Sequence, residues 1–204
     1  MPQPRWVISE ARLWTGPAMF YAESDLAALV YEAYQDPDAV LRDFAAGLKN
    51  SGARVAGLVQ EGHCADASLS AVLLPGGEKI RLALDPDPAA SGCRLDARRL
   101  QSAGARVAEA LEIGVDLLII NRFGERERNG QGLGYLIERA LETESPVVVA
   151  VSSRRFDDWI KFAGGMSVKL ACNRPALEAW WGRVSQRSAA MKHDSRPTVC
   201  EVLK

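Results

Sequence analysis

The side chains with the most evident chemistry in this sequence are arginines and small polar residues beside predicted strand ends and helix starts. In a parallel α/β sheet, ligands bind beyond the carboxyl ends of the strands, where helix N-termini present free N–H groups. Guanidinium groups bind phosphate and other oxyanions through paired N–H donors. The sequence therefore predicts an oxyanion site formed by Ser91, Cys93, Arg94, Asn121, Arg122 and Ser152. The alternative is that Arg94 and Arg122 are solvated loop residues, because a shared edge is wider than one side chain can reach.

The segment NRFGERE at 121–127 follows the most apolar strand prediction in the chain. An apolar strand ending in a polar residue and then a glycine resembles the Walker B region of P-loop nucleotide hydrolases, where an acidic residue holds Mg²⁺. Asn121 and Arg122 occupy those positions here, and neither an amide nor a guanidinium supplies the negative charge that Mg²⁺ requires. We interpret Glu125 and Glu127 as part of a solvated charged stretch.

The segment YEAYQDPD at 31–38 stands where a phosphate loop would follow the first predicted strand. A phosphate loop needs glycines that expose backbone N–H groups and a lysine that meets the phosphates. This segment has neither, and the carboxylates of Glu32, Asp36 and Asp38 would repel a triphosphate. The sequence thus argues against ordinary P-loop hydrolysis of nucleoside triphosphates.

Cysteine and glycine residues give weaker signals. Cys93 is predicted at a helix start beside Arg94, where a thiol pKa is lowered, and a packed, inert cysteine is the alternative. The HCAD segment at 63–66 lies past a predicted strand, but adjacent loop residues rarely orient toward each other, so we predict no catalytic or metal site there. The GQG segment at 130–132 is interpreted as a flexible loop.

The predicted elements alternate between apolar strands and amphipathic helices. Asp36 and Pro37 form an N-cap and first turn for the first helix. Pro75–Glu78 separates two short runs that predict an antiparallel hairpin. The predicted strands are 26–31, 54–60, 68–74, 79–84, 115–120, 146–151 and an edge strand at 168–172, and the predicted helices are 37–52, 96–114, one ending near 144, 156–162 and 175–186. The sequence therefore predicts a three-layer α/β fold with a mainly parallel sheet and an inserted β-hairpin.

Composition and charge are typical of a globular protein. Hydrophobic residues make up 48% and charged residues 25% of the chain, and the net charge of -1 gives no global attraction to nucleic acid. No apolar stretch approaches the ~20 residues that span a bilayer, and no signal sequence is evident. The scattered cysteines Cys64, Cys93, Cys172 and Cys200 predict reduced thiols and no zinc site. We therefore expect a cytoplasmic protein that does not insert into membranes.

The chain is predicted to comprise an N-terminal extension (1–24), an α/β domain (25–187) and a loose C-terminal tail (188–204). The extension carries Trp6 and Trp14, and Trp180 and Trp181 lie next to each other on the last predicted helix. Adjacent residues of a helix do not face the same core. These aromatic residues indicate a surface for a protein partner or a homo-oligomer, formed through the N-terminal aromatic segment.

Several stretches resemble, in order and spacing, the bacterial proteins known as domain of unknown function 2478 (DUF2478). They are LAALVYE (26–32), RVAGLVQ (54–60), SGCRLD (91–96), DLLIINRFGERE (116–127), GQGL (130–133), PVVVAVS (146–152) and W-x-x-F-A-G-G (159–165). The resemblance implies a fold similar to the nucleoside-triphosphatase branch of P-loop proteins, with a degenerate phosphate loop. The family's association with molybdenum-uptake and molybdoenzyme genes implies a role in molybdate handling.

Three functions follow from these observations and stay open at this point. The first is an accessory protein that binds a small oxyanion, molybdate or tungstate, at the predicted site. The second is a nucleotide-binding protein or hydrolase with an altered phosphate loop, using a Mg-nucleotide. The third is an interaction protein without a ligand.

Overall fold

The computed structural model of the chain describes residues 24–62, 68–84 and 95–194, with side chains through residue 187. The strands are β1 (Leu26–Tyr31), β2 (Val55–Glu61), β3 (Ser70–Leu74), β4 (Lys79–Arg81), β5 (Leu117–Phe123), β6 (Val147–Ser152) and β7 (Val168–Ala171). The helices are α1 (Pro37–Asn50), α2 (Ala97–Ile113), α3 (Glu125–Arg128), α4 (Gly134–Glu142), α5 (Phe156–Phe162) and α6 (Arg174–Asp194), and a 3₁₀ turn, Ser153–Arg155, precedes α5.

The described strands form one mixed sheet in the order β4-β3-β2-β5-β6-β1-β7. The strands from β2 to β7 in that order pair in parallel, whereas β3 pairs antiparallel with both β2 and β4. This arrangement confirms the predicted α/β fold with a mainly parallel sheet and an inserted hairpin. Because parallel strands share a direction, the ends of β1, β2, β5 and β6 lie along one edge of the sheet.

The central strands are apolar on both faces because helices cover the sheet from both sides. Leu118 and Ile120 of β5 pack in one core with residues of α2, α4 and α5. Leu117 and Ile119 of the same strand pack in a second core with residues of α1 and α6. Successive side chains of β5 therefore point into two separate cores on opposite faces of the sheet, and the architecture has three layers as predicted.

Aspartate caps begin two of the helices that start near the carboxyl edge of the sheet, α1 and α2. The Asp36 side chain accepts a hydrogen bond of 3.0 Å from the Ala39 N–H at the start of α1, with Pro37 in the first turn. Asp96 accepts bonds of 3.0 and 3.1 Å from the Arg98 and Arg99 N–H groups at the start of α2. These carboxylates satisfy donors that a helix start otherwise leaves unpaired, which fixes where each helix begins.

Two elements run past their predicted ends. β5 continues through Phe123 rather than stopping at Ile120, so Asn121 and Arg122 are strand residues and not loop residues. The backbone of α6 is helical to Asp194, beyond the predicted end at 186 and into the segment interpreted as a tail. Among the described helices, none combines the length and the apolar composition that crossing a bilayer requires.

Candidate functional site

The predicted site residues that the structure describes lie at the carboxyl edge of the sheet. Asn121 and Arg122 belong to the last part of β5, and Ser152 ends β6 and pairs with Tyr31 at the end of β1. Ser91, Cys93 and Arg94 lie outside the described residues, as do the HCAD segment and the N-terminal aromatic segment. The structure thus brings Asn121 and Arg122 to this edge on β5. Ser152 lies at the same edge on the neighbouring strand β6.

A β-bulge in β5 places Asn121 and Arg122. Ile120 pairs with Val149 and Phe123 pairs with Val151, so β5 contains one more residue than β6 across this interval. The extra residue allows both Ile120 and Phe123 to pack in the same core, although three residues would otherwise put them on opposite faces. The two polar residues between them are thereby turned toward the sheet edge.

Asn121 is buried and links β5 to β2. Its Nδ2 donates a hydrogen bond of 3.4 Å to Oε1 of Gln60, the next-to-last residue of β2. The same two side chains line a cleft above the sheet edge. Asn121 therefore closes the gap between neighbouring strand ends and carries no negative charge there.

Arg122 forms an ion pair with Asp38 in the first turn of α1. Arg122 Nη2 lies 2.6 Å and Nε lies 3.2 Å from Asp38 Oδ2. The other carboxylate oxygen, Oδ1, accepts a hydrogen bond of 2.7 Å from the backbone N–H of Gln60. The Asp38 side chain is only 5% exposed, so this carboxylate is an internal partner of β2 and β5 and is shielded from solvent.

Burial and the ion pair have opposite effects on the pKa values of Asp38 and Arg122. Desolvation raises the pKa of the Asp38 carboxyl, against the opposing influence of Arg122 and of the Gln60 N–H. Desolvation lowers the pKa of the Arg122 guanidinium, but the charge and hydrogen bond of Asp38, with smaller contributions from Tyr31 and Asp36, together leave this pKa raised. The Arg122 guanidinium also lies 5.6 Å from the centre of the Tyr31 ring, a cation–π distance.

The segment after β1, which occupies the position of a phosphate loop, carries acidic side chains. Asp36 caps α1, Asp38 is buried beneath it, and Glu32 accepts a hydrogen bond of 2.7 Å from the Ser153 hydroxyl. Desolvation, Asp36 and Asp38 together raise the pKa of the nearby Cys172 thiol, which keeps this buried cysteine protonated. The N-terminus of α1 is therefore occupied by the chain's own carboxylates.

Two clefts open at this edge, and Gln60 and Arg122 line both of them. The first, called the Arg126 cleft, has a volume of about 450 Å³ and contains both arginines and carboxylates. Its polar lining includes Gln60, Asn121, Arg122, Glu125, Arg126, Glu127 and Gln131, over Leu82 and Leu95. The second, called the Tyr34 cleft, has a volume of about 430 Å³ and is lined by Tyr31, Tyr34, Asp36, Asp38 and Arg42 beside Arg122. Both volumes lie within the range of small-molecule sites.

Glu127 contradicts the interpretation of residues 125–128 as a solvated charged stretch. Its side chain is buried, with Oε2 accepting a hydrogen bond of 3.0 Å from the Gly124 N–H. Its Oε1 accepts a bond of 3.1 Å from the buried Leu133 N–H. One carboxylate thus ties together both ends of the loop that forms a wall of the Arg126 cleft. The spacing from Gly124 to Glu127, which matches the glutamate half of a capping box, was the available sequence signal.

Gly132 has a conformational role beyond the predicted flexibility. Its φ angle is +73°, in the left-handed region that favours glycine. A Cβ atom at this position would lie 2.2 Å from Glu127 Oε1. The close approach of the Gly132 backbone is therefore what allows the buried carboxylate of Glu127 to reach Leu133.

Arg126 lies at this edge but does not stand out in the sequence as a site residue. It is half-buried and lines the Arg126 cleft together with Asn121 and Arg122. Its neighbour Arg128 pairs with Asp158 at 3.4 Å and with Glu125 at 3.7 Å, whereas the Arg126 guanidinium has no hydrogen bond or ion pair with any described residue. Its only signal in the sequence was its place shortly after a strand end.

The chain is similar to a known protein family and to part of a curated protein. The sequence matches the family described as "Protein of unknown function (DUF2478)" over residues 26–180. It is 35% identical over 209 aligned positions to the molybdenum import ATP-binding protein ModC 2 of Bradyrhizobium diazoefficiens. That alignment covers 99% of this chain but only 23% of the relative, so the chain spans about a quarter of the length of the curated protein it matches.

One solved structure supports the fold, and a second gives a weaker superposition. THEP1 from the hyperthermophile Aquifex aeolicus superimposes with a TM-score of 0.50 at 9% identity, covering 77% of this chain and 96% of that one. A human cancer-related nucleoside triphosphatase gives a TM-score of 0.48 at 14% identity, covering 84% of this chain and 98% of that one. At such low identity the likeness to THEP1 concerns the arrangement of strands and helices alone.

Proposed function

This chain belongs to the DUF2478 family, and we propose that it binds a small oxyanion, molybdate or tungstate, in the Arg126 cleft. The observation that carries the proposal is the half-buried Arg126 guanidinium, which lines the cleft without a carboxylate partner among the described residues. A guanidinium removed from bulk water attracts an anion more strongly than a fully solvated one, because screening is weaker. An oxyanion would supply the missing partner.

Neighbouring groups fit such a ligand. Asn121 and Gln131 place side-chain amides in the cleft, and amide N–H groups donate to oxyanion oxygens. Leu82 and Leu95 give the cleft an apolar side that limits competing water. Leu95 also follows directly on the SGCR segment at 91–94 in the chain, so we retain Ser91, Cys93 and Arg94 as proposed contributors to the same cleft. Ser152 and its neighbour Ser153 are proposed as more distant polar groups of this edge.

The choice of molybdate or tungstate rests on the curated relative. The name of that relative refers to molybdenum import, and the aligned segment includes nearly all of this chain. Three quarters of the relative lies outside the alignment, so its ATP-binding activity belongs to the whole protein. We propose that the part resembling this chain contributes to recognition of the oxyanion rather than to that activity.

The test is titration of the purified chain with molybdate, tungstate, sulfate and MgATP, followed by thermal unfolding and calorimetry. A ligand at about a hundred times its Kd stabilises a protein by about 2.7 kcal/mol, which moves Tm by roughly 5–11 °C at this chain length. R126A should weaken molybdate binding by about tenfold to a hundredfold, the equivalent of one charged hydrogen-bonding group. R128A is the matched control, because Arg128 already has two carboxylate partners. Equal molybdate affinity in R126A and the parent chain would overturn the proposal.

Nucleotide binding is the second candidate. Its support is the mainly parallel α/β fold together with the cleft volumes of about 450 and 430 Å³, which exceed the space that one tetrahedral oxyanion needs. Its weakness is the acidic start of α1, where Asp36 and Asp38 take the place of phosphate-binding groups. Stabilisation by MgATP without stabilisation by molybdate or tungstate would favour this candidate over the first.

A further inference from the structure

We propose that Asp38 is a specificity-determining residue of the Arg126 cleft, which it makes selective for a single small oxyanion over a polyphosphate chain. Asp38 acts through Arg122, whose guanidinium it holds and whose charge it neutralises. The inference rests on the proposed function for the identity of the favoured ligand. Its prediction about polyphosphate stands on the ion pair alone and is tested separately.

The ion pair occupies one edge of the Arg122 guanidinium. Two of its nitrogens, Nε and Nη2, are directed at Asp38 Oδ2 at 3.2 and 2.6 Å. The third, Nη1, has no hydrogen bond to a described residue, and Arg122 contributes to the lining of the Arg126 cleft. An anion in that cleft can therefore reach only the Nη1–Nη2 edge of Arg122, and the positive charge behind that edge is already balanced by Asp38.

The charge balance of the edge has the same consequence. The Asp38 side chain is 5% exposed and cannot exchange its partner for water at low cost, because an unpaired buried carboxylate is strongly disfavoured. Asp38 and Arg122 together carry no net charge, and Glu125 and Glu127 also line the cleft, so Arg126 is the arginine of the described lining that has no ion pair and the cleft as a whole is not strongly cationic. One unpaired cation can compensate the desolvation of a small oxyanion. A polyphosphate chain would lose the hydration of several charges in the cleft and gain only one ion pair there.

The Asp38→Asn variant tests this inference as a gain of binding. Asparagine keeps an oxygen that can accept the Gln60 N–H but removes the charge that neutralises Arg122. For a ligand about 8 Å from the substituted side chain at about 10 mM ionic strength, the added positive charge should strengthen molybdate binding about fourfold and tripolyphosphate binding about fifteenfold. The measured quantity is the ratio of the two dissociation constants, which should shift about fourfold toward tripolyphosphate.

Controls separate this charge effect from damage to the fold. D43N removes the same charge from an exposed position further along α1 and should shift the ratio less. R122Q removes the cation instead of the carboxylate and should not shift the ratio toward tripolyphosphate, because it adds no positive charge to the edge. Damage to the fold would weaken both ligands and could not produce a gain for one.

Two results would overturn the inference. The first is a D38N variant whose molybdate-to-tripolyphosphate ratio equals that of the parent chain, and the second is an R122Q variant whose ratio shifts toward tripolyphosphate as much as that of D38N. The proposed function fails if the parent chain binds no molybdate. In that case the gain in tripolyphosphate affinity of D38N over the parent chain can still be measured on its own. The two proposals therefore fail in distinguishable ways.

Discussion

Substitution of Glu127 by glutamine should destabilise the wall of the Arg126 cleft in a way that an equal change at Glu125 does not. The Glu127 carboxylate accepts from two backbone N–H groups, Gly124 at 3.0 Å and Leu133 at 3.1 Å. A glutamine side chain offers one oxygen and one NH₂ group, so one of the two N–H donors would face another donor. Glu125 is exposed, and its partner Arg128 lies 3.7 Å away.

The expected loss can be worked from those contacts. A hydrogen bond to a charged group contributes about 1.5–3 kcal/mol, and a buried donor left unsatisfied costs about 1–3 kcal/mol. Since E127Q keeps one of the two bonds in a weaker, neutral form, we expect a loss of about 2–3 kcal/mol in the free energy of unfolding. At this chain length that corresponds to a fall in Tm of roughly 4–12 °C. E125Q should stay within about 0.5 kcal/mol of the parent chain, as is usual for a surface pair.

The assay is urea and thermal unfolding of the parent chain, E127Q and E125Q, combined with amide hydrogen exchange at Leu133. Loss of the carboxylate could open the loop without unfolding the whole chain, and such local opening would appear as faster exchange at Leu133. Molybdate affinity should fall in E127Q as well, because the loop positions Arg126. If E127Q matches E125Q in both unfolding and exchange at Leu133, the assignment of Glu127 as the residue that closes this loop is wrong.

Two further predictions concern the buried carboxylate and the buried indoles. Burial raises the pKa of Asp38 above its ordinary value of 3.8. The folded chain therefore holds a proton on Asp38 over a pH range in which the unfolded chain has already lost it. The stability of the parent chain relative to D38N should fall as pH rises through the folded pKa. Urea unfolding of both chains between about pH 3.5 and 6.5 measures this difference, and a difference that is constant or of opposite slope would contradict it. Trp180 Nε1 donates to the Ser24 carbonyl at 3.0 Å, whereas Trp159 Nε1 is buried without a partner among the described residues. W180F should therefore lose about 1 kcal/mol more than W159F in thermal unfolding, and an equal or larger loss in W159F would count against this reading of the two indoles.

The strands and the first helix were predictable because their signals are local. β1 occupies the predicted residues 26–31, and β6 differs from its prediction by one residue at each end. α1 begins at Pro37 behind an Asp36 cap, as the sequence indicates. Apolar runs and capping residues decide these elements within a few positions of the chain, so no knowledge of strand order is needed.

The contacts of the site were not predictable in the same way. Asp38 and Arg122 are 84 positions apart, and their contact depends on where α1 crosses the sheet relative to β5. The bulge after Ile120 turns Arg122 toward α1, and a bulge leaves no periodic signal in a short strand. Glu127 lies in a run of charged residues, where composition indicates solvent, yet two converging N–H groups make a buried carboxylate favourable.

The Asp38–Arg122 pair also explains how a fold resembling that of P-loop proteins departs from their chemistry. In P-loop hydrolases, the phosphates and Mg²⁺ connect the helix after the first strand to the acidic strand end. Here the same two places, the start of α1 and the end of β5, are joined directly by a carboxylate and a guanidinium at 2.6 Å. An internal pair needs no ligand, so binding is not required to hold α1 against the sheet. In the proposed function the ligand therefore pairs with Arg126, the arginine of the described cleft lining that has no ion pair.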